Sequence, residues 1–258
     1  MNRSKGSVFI MKRKSMGGIF LVIISFIAIY ILNNYSDDID KFLFDIDILG
    51  ETNAHEVASY SLEEIPEYDG VAEYVIINNN EPFFNDSDKS INSFEEYSEL
   101  DALGRCGVAY ANIGLDLMPT SERESIGMIK PSGWHTVKYD IINGKYLYNR
   151  CHLIGYQLTG ENANEKNLIT CTRQMNAGTM LDFENEVADY IKKTNNHVLY
   201  RATPIFEGNN LVASGVLLEG LSVEDNGAGI KFNVYLYNVQ DGIEIDYSTG
   251  DSKLIEGN

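Results

Sequence analysis

Two kinds of apolar run divide the chain. Residues 16–32 are apolar without a charged side chain, whereas beyond residue 70 apolar positions come in short stretches between glycine, proline and asparagine. Residues 71–77 are β-branched and apolar and read as a strand, broken by Asn78-Asn79-Asn80-Glu81-Pro82. Residues 94–103 have the spacing of a short helix, and 108–111 that of a second strand. Met118-Pro119-Thr120 opens a loop in which Ser121-Glu122-Arg123 can start a helical turn. Residues 134–142 and 145–152 are strand-like and flank Asn143-Gly144, the pair preferred in two-residue hairpins, so a hairpin ending at His152 is expected. Residues 158–170 carry Thr159, Gly160, Asn162, Asn164 and Asn167 and read as loop. Over 172–194, Met180, Phe183, Val187, Tyr190 and Ile191 recur at three- and four-residue spacing, which predicts one amphipathic helix, weakened near Gly178. Strands are then expected at 197–206, 211–219, 232–238 and 243–247. This order of elements predicts an α+β fold: a central, mostly antiparallel sheet with flanking helices and a ββα unit made of the hairpin and the helix.

Charge changes the picture at the N-terminus. The formal net charge is −18, yet Arg3, Lys5, Lys12, Arg13 and Lys14 all precede the first acid, Asp37, leaving 15 basic against 38 acidic residues beyond them. Residues 16–32 reach the lower end of the roughly 17–25 apolar residues that span a bilayer. Basic residues before them and acids after them place the N-terminus inside by the positive-inside bias. The expected organisation is a basic cytoplasmic segment at 1–15, a single-pass transmembrane signal-anchor at 16–32, an acidic spacer at 33–70, and a folded domain at 71–258 outside the cell. A cleaved signal peptide, and with it a secreted protein, is the alternative; Asn33-Asn34-Tyr35 is a poor cleavage site. Cys106, Cys151 and Cys171 lack zinc-site spacing, and an odd count outside the cell allows at most one bridge with a thiol left over. Cys151 and His152 are neighbours on a strand, so they point to opposite faces and do not share a metal.

Tyr148-Asn149-Arg150-Cys151-His152-Leu153-Ile154-Gly155, followed by Asn164, Asn167, Asn176 and Glu184, resembles the DNA/RNA non-specific endonucleases of the ββα-metal (His-Me finger) class. The likeness extends over residues 100–247 and is strongest over 134–202. That family's core is Asp-Arg-Gly-His; here Asn149 stands for the Asp and Cys151 for the Gly, while Arg150 and His152 are kept. Phosphodiester hydrolysis needs an activated water, neutralisation of charge at phosphorus and stabilisation of the leaving oxygen. Histidine suits the first task, and Mg²⁺, held through few protein oxygens, suits the others. The resemblance implies that His152 is the general base and Asn176 the direct ligand of Mg²⁺, for which Mn²⁺ can substitute.

On a regular helix Asn176 and Glu184 would lie about 80° and 12 Å apart. Glu184 is therefore expected to reach a metal-bound water rather than the ion, the place its family counterpart holds. Asn164 and Asn167 match the asparagine pair of the family's loop and could orient the phosphate, the histidine or the loop itself. For the arginine that neutralises the developing charge, Arg105, Arg123, Arg150 and Arg173 stay open. Arg150 matches the motif and is placed on the face of His152, and Arg123 sits in a loop able to fold over the site. Arg123, Arg173 and Asn164 are candidate substrate contacts.

The expected activity is that of a membrane-anchored, extracellular, Mg²⁺-dependent endonuclease that hydrolyses DNA, and RNA as well, without sequence preference. Its partners are then nucleic acid and the cell membrane; oligomeric state stays open. A non-catalytic, nucleic-acid-binding surface domain is a second reading, favoured by an acidic body that repels polyanions overall. A metallohydrolase acting on another phosphodiester, such as a cyclic dinucleotide, is a third.

Overall fold

The computed structural model describes residues 54–57 and 65–255. The basic segment, the apolar stretch at 16–32 and most of the spacer lie outside the described residues. Among those described, no helix is long and apolar enough to cross a membrane.

Seven strands form one sheet in the order β1 (Ala54–Val57), β2 (Tyr74–Ile77), β9 (Lys231–Tyr237), β8 (Gly215–Ser222), β7 (Val198–Ile205), β4 (Ala109–Ile113) and β3 (Phe94–Tyr97). β1 and β2 are parallel and every other neighbouring pair is antiparallel, as the α+β reading requires. Two small antiparallel pairs stand apart: β5 (Tyr148–His152) with β6 (Leu168–Thr172), and β10 (Ile243–Ile245) with β11 (Ser252–Leu254). The helices are α1 (Tyr156–Thr159), α2 (Arg173–Ala177) and α3 (Thr179–Thr194).

Strand alternation builds two cores. Val216, Leu218, Val234 and Leu236 face one side, where Met180, Val187, Ala188 and Ile191 of α3 and Cys151 and Ile169 of the small sheet close over them. Leu217, Tyr235 and Tyr237 point to the other side and pack with Val75 and Ile77. With both faces covered, β8 and β9 are buried almost throughout, which is why their sequences are near-continuous apolar runs. Each large side chain so buried contributes roughly 1.5–3 kcal/mol. Ile65 and Tyr68 pack on the second core, so the folded body takes in chain that precedes residue 71.

Three expectations are corrected. Residues 94–103 are not a helix: β3 pairs along β4, with Phe94 packed edge-on against Tyr110 and Tyr97 against the main core. The three-residue spacing of these aromatics puts them on opposite faces of a strand, and both faces have cover. The partner of β5 is β6 and not residues 134–142, which make only a bridge between Lys138 and Tyr146. The Asn143-Gly144 turn does form, with Gly144 at φ 78° and Lys145 donating its N–H to the Ile142 carbonyl at 2.8 Å, but it serves a loop. The helix expected over 172–194 is two, broken at Gly178, whose φ and ψ are −110° and −111°. A disulfide joins Cys151 to Cys171 across the small sheet and Cys106 remains a buried thiol, as an odd count with one bridge allows.

Candidate active site

His152 ends β5 and is 6% exposed. Two contacts fix its ring. Nε2 lies 2.8 Å from the Asn162 carbonyl oxygen, which can only accept, and Nδ1 lies 3.3 Å from Nη2 of Arg123, which can only donate. Both therefore require the proton on Nε2 and leave the Nδ1 lone pair as the acceptor. Burial lowers the His152 pKa to about 4; the Asn162 bond opposes the shift and the Arg123 charge adds to it. At neutral pH the imidazole is thus uncharged and able to take a proton.

The loop between β5 and β6 is held by Asn167, which is fully buried. Its Oδ1 accepts from the Ile154 N–H at 2.9 Å and its Nδ2 donates to the Ile154 carbonyl at 3.0 Å. Its amide is thereby committed to the backbone just past His152. Of the roles open to it, the loop is the one its contacts fill, and a direct catalytic part is corrected to a positioning one. Asn164 starts the short turn at Glu165–Asn167, its Oδ1 accepting from the Lys166 N–H at 3.0 Å.

Beyond β6, the Thr172 side chain caps α2 by accepting from the Met175 N–H at 3.1 Å. Asn176 sits in α2 and Glu184 in α3, and the break at Gly178 removes the straight-helix geometry that separated them. Both now line one cavity of about 490 Å³, with His152, Arg123 and Arg173. Glu184 is 9% exposed, and burial raises its pKa to about 7; Gln157, Arg123 and the Gly155 backbone pull it partly back. A Cβ on Gly155 would stand 2.5 Å from Oε2 of Glu184, so this carboxylate occupies the space of a missing side chain. Gly155, Gln157 and the Asn162 carbonyl were given no role from the sequence. The first two lie within three and five residues of His152, the one signal available, and the third acts through a backbone atom that any residue supplies.

Arg150 is not brought to His152. Its guanidinium stacks 4.0 Å above the Trp134 ring and donates to the carbonyls of Gly127 (2.9 Å) and Ile129. It lines a neighbouring cavity that shares Arg123, Arg173 and Asn176 with the first. Arg105 is committed elsewhere, to Asp101 at 2.7 Å and to the carbonyls of Gly208 and Asn210. His135 bonds the Thr249 carbonyl and His197 the Glu224 carboxylate, so neither joins the site. Among the described residues no three His, Cys, Asp or Glu cluster as a metal cage. An Asn oxygen beside a buried carboxylate that forms no ion pair nonetheless fits Mg²⁺, which keeps most of its waters.

The signature of the family described as DNA/RNA non-specific endonuclease matches residues 85–223, more than half of the chain. The chain belongs to this family of hydrolytic nucleases. A deoxyribonuclease of Streptococcus dysgalactiae subsp. equisimilis is 34% identical over 110 residues, 41% of this chain but 32% of that protein, so the match spans about a third of its length. The fold is similar to NucA from Streptococcus agalactiae with no metal bound (TM-score 0.65, 25% identity, 76% of this chain and 92% of NucA). It is also similar to NucA with magnesium bound (TM-score 0.62, 26% identity, 70% and 86%) and to the Sda1 nuclease with a bound zinc ion (TM-score 0.55, 31% identity, 64% and 81%).

Proposed function

We propose that this family member is a metal-dependent endonuclease that hydrolyses DNA, and RNA as well, without sequence preference. The observation that carries the reading is the convergence of a neutral, oriented histidine, an amide, a buried carboxylate and two arginines on one cavity. In this reading Arg123 turns from Nδ1 of His152 to the phosphate, and the freed Nδ1 takes the proton of the attacking water while Nε2 stays bonded to Asn162. Arg123 and Arg173 meet the phosphate oxygens. Asn176 holds the divalent ion, Mg²⁺ with Mn²⁺ as substitute, and Glu184 orients its surroundings. When bound, that ion supplies charge neutralisation at phosphorus and at the leaving oxygen. The magnesium seen in NucA supports this choice. The apolar stretch at 16–32 as an anchor, holding the domain outside the cell, belongs to the same proposal. Plasmid and RNA cleavage by the purified chain, with Mg²⁺ and then with EDTA, tests the activity. Digestion that survives EDTA, or none in Mg²⁺ and Mn²⁺, overturns it.

A further inference from the structure

Beside the cavity of His152 lies a second one, of about 480 Å³, whose aromatic side the cleavage chemistry does not use. The two share Arg123, Arg173 and Asn176, so anything held in the second is adjacent to the scissile position. Its remaining wall is unlike the first. Trp134, Tyr146 and Tyr148 line it, and Tyr146 is 46% exposed although aromatic. Arg150 contributes a guanidinium stacked on Trp134, and Asn149 contributes a side-chain nitrogen with no hydrogen-bond partner. The indole nitrogen of Trp134 is likewise unpartnered.

The charge here is also uncommon for this protein. Arg105 and Arg201 are neutralised by Asp101 and Glu219, but among the described residues none of Arg123, Arg150 and Arg173 forms an ion pair. Three guanidinium groups without an ion pair stand around one space, with Glu184 facing Arg123 from the adjoining cavity, and in a chain of net charge −18 they favour an anion there. Aromatic faces at the same place add a reason for that anion to carry a flat, apolar group. Arg150 covers one face of Trp134, Tyr148 is buried and Lys138 Nζ lies 4.4 Å over the Tyr146 ring, so the exposed part of Tyr146 is the aromatic surface that phosphate alone would leave uncovered, and an apolar ligand would leave the arginines unpaired.

We propose that this second cavity is a nucleotide subsite, resting on the nuclease reading above: it takes the nucleotide next to the scissile phosphate, phosphate on the arginines and unpaired base against the exposed Tyr146, beside the stack of Arg150 on Trp134. A base within a duplex has both faces stacked, so the subsite favours single-stranded nucleic acid over blunt duplex. Stacking on an aromatic side chain is worth about 1–3 kcal/mol per base, or about 5- to 100-fold in affinity.

Trp134 is the sole tryptophan of the chain, so its emission reports on this cavity alone. The experiment titrates the full chain in EDTA with inorganic phosphate, a 5′-mononucleotide, a short single-stranded oligonucleotide with non-hydrolysable linkages, and a blunt duplex of the same sequence. Saturable quenching is expected from the mononucleotide and, more tightly, from the single strand. Tyr146→Ala, with folding checked by circular dichroism, is expected to weaken the single strand by about 5- to 100-fold. Phosphate matching the mononucleotide would reduce the site to an anion site and overturn the role of the base. Duplex matching the single strand would overturn the unpaired base. Cleavage of DNA with Trp134 emission unmoved by saturating oligonucleotide would overturn the subsite and leave the nuclease standing. Quenching in a chain that cleaves nothing would leave a nucleotide-binding cavity but overturn the nuclease, and with it the place of this cavity beside a scissile phosphate.

Discussion

At the scale of single residues, two buried groups with opposite shifts set the pH behaviour. His152 is held neutral down to about pH 4, so with the metal site saturated, activity should not fall until well below an ordinary histidine's pKa. Glu184 stays protonated up to about pH 7, and a proton there competes with a neighbouring cation, so at low metal the acid limb should lie near 7. Rate–pH profiles at high and low Mg²⁺ check this; limbs that coincide would refute it. His152→Ala should cost about 10²–10⁴ in rate, and a folded variant cutting at the original rate removes His152 from the mechanism. Glu184 also marks stability. Its folded pKa lies above its ordinary value of 4.5, so the folded state keeps the proton in that window. The stability it adds is complete below about 4.5 and is lost as pH rises through 7, on the order of 3 kcal/mol. In EDTA, Glu184→Gln should therefore gain on the original chain in urea midpoint from pH 5 to 8; a constant gap would mean the carboxylate is not strained. His152 was legible from the sequence because strand end, motif and loop all converge on it. Asn167 was legible as important but not for its task, since an amide that clasps backbone and one that faces a phosphate look alike in one dimension.

At the scale of elements, the junction of α2 and α3 decides whether Asn176 and Glu184 share a cavity. A Cβ on Gly178 would stand 2.6 Å from the Gln174 carbonyl oxygen, a backbone atom that cannot swing away. Gly178→Ala should therefore cost about 1–3 kcal/mol and move Asn176 relative to Glu184, raising the metal concentration needed for half-maximal rate. A thermal melt and a Mg²⁺ titration read the two effects; if neither shifts, the junction does not position the site. The sequence marked Gly178 as weak but not as a break, because the apolar spacing of Met180, Val187 and Ile191 belongs to α3 alone and says nothing of where α2 ends. β6 was hidden for a related reason. Leu168 to Thr172 is buried at every position, so it lacks the alternation that identifies a strand with one wet face. The Asn143-Gly144 turn then offered a nearer partner for β5 than the strand that takes it. The long strands β7, β8 and β9 were legible, being apolar runs between strong turns, with boundaries shifted by up to four residues.

At the scale of the whole molecule, the problem is how a chain of net charge −18 approaches a polyanion. Summed charge repels nucleic acid at long range, and attraction must be local. Distribution resolves it: basic side chains paired with acids lie away from the site, as Lys89 with Asp86, Lys166 with Glu99 and Lys231 with Glu81 do. Arg123, Arg150 and Arg173 form no ion pair among the described residues and line the two adjoining cavities, where Glu184 is the one carboxylate beside them. Binding should then depend on salt through few contacts, each releasing counterions from a phosphate. The logarithm of affinity for a single strand should fall against the logarithm of salt with a slope of about −0.7 per phosphate engaged, so about −2 for three arginines. Arg173→Ala should make that slope shallower by close to one contact's worth. Arg105→Ala loses a side chain already paired with Asp101, so it should lower thermal stability and leave the slope unchanged. Affinity measured in EDTA across a tenfold range of salt separates the two variants. A slope that does not respond to Arg173→Ala, or responds equally to Arg105→Ala, would mean that the three unpaired arginines do not meet the phosphates.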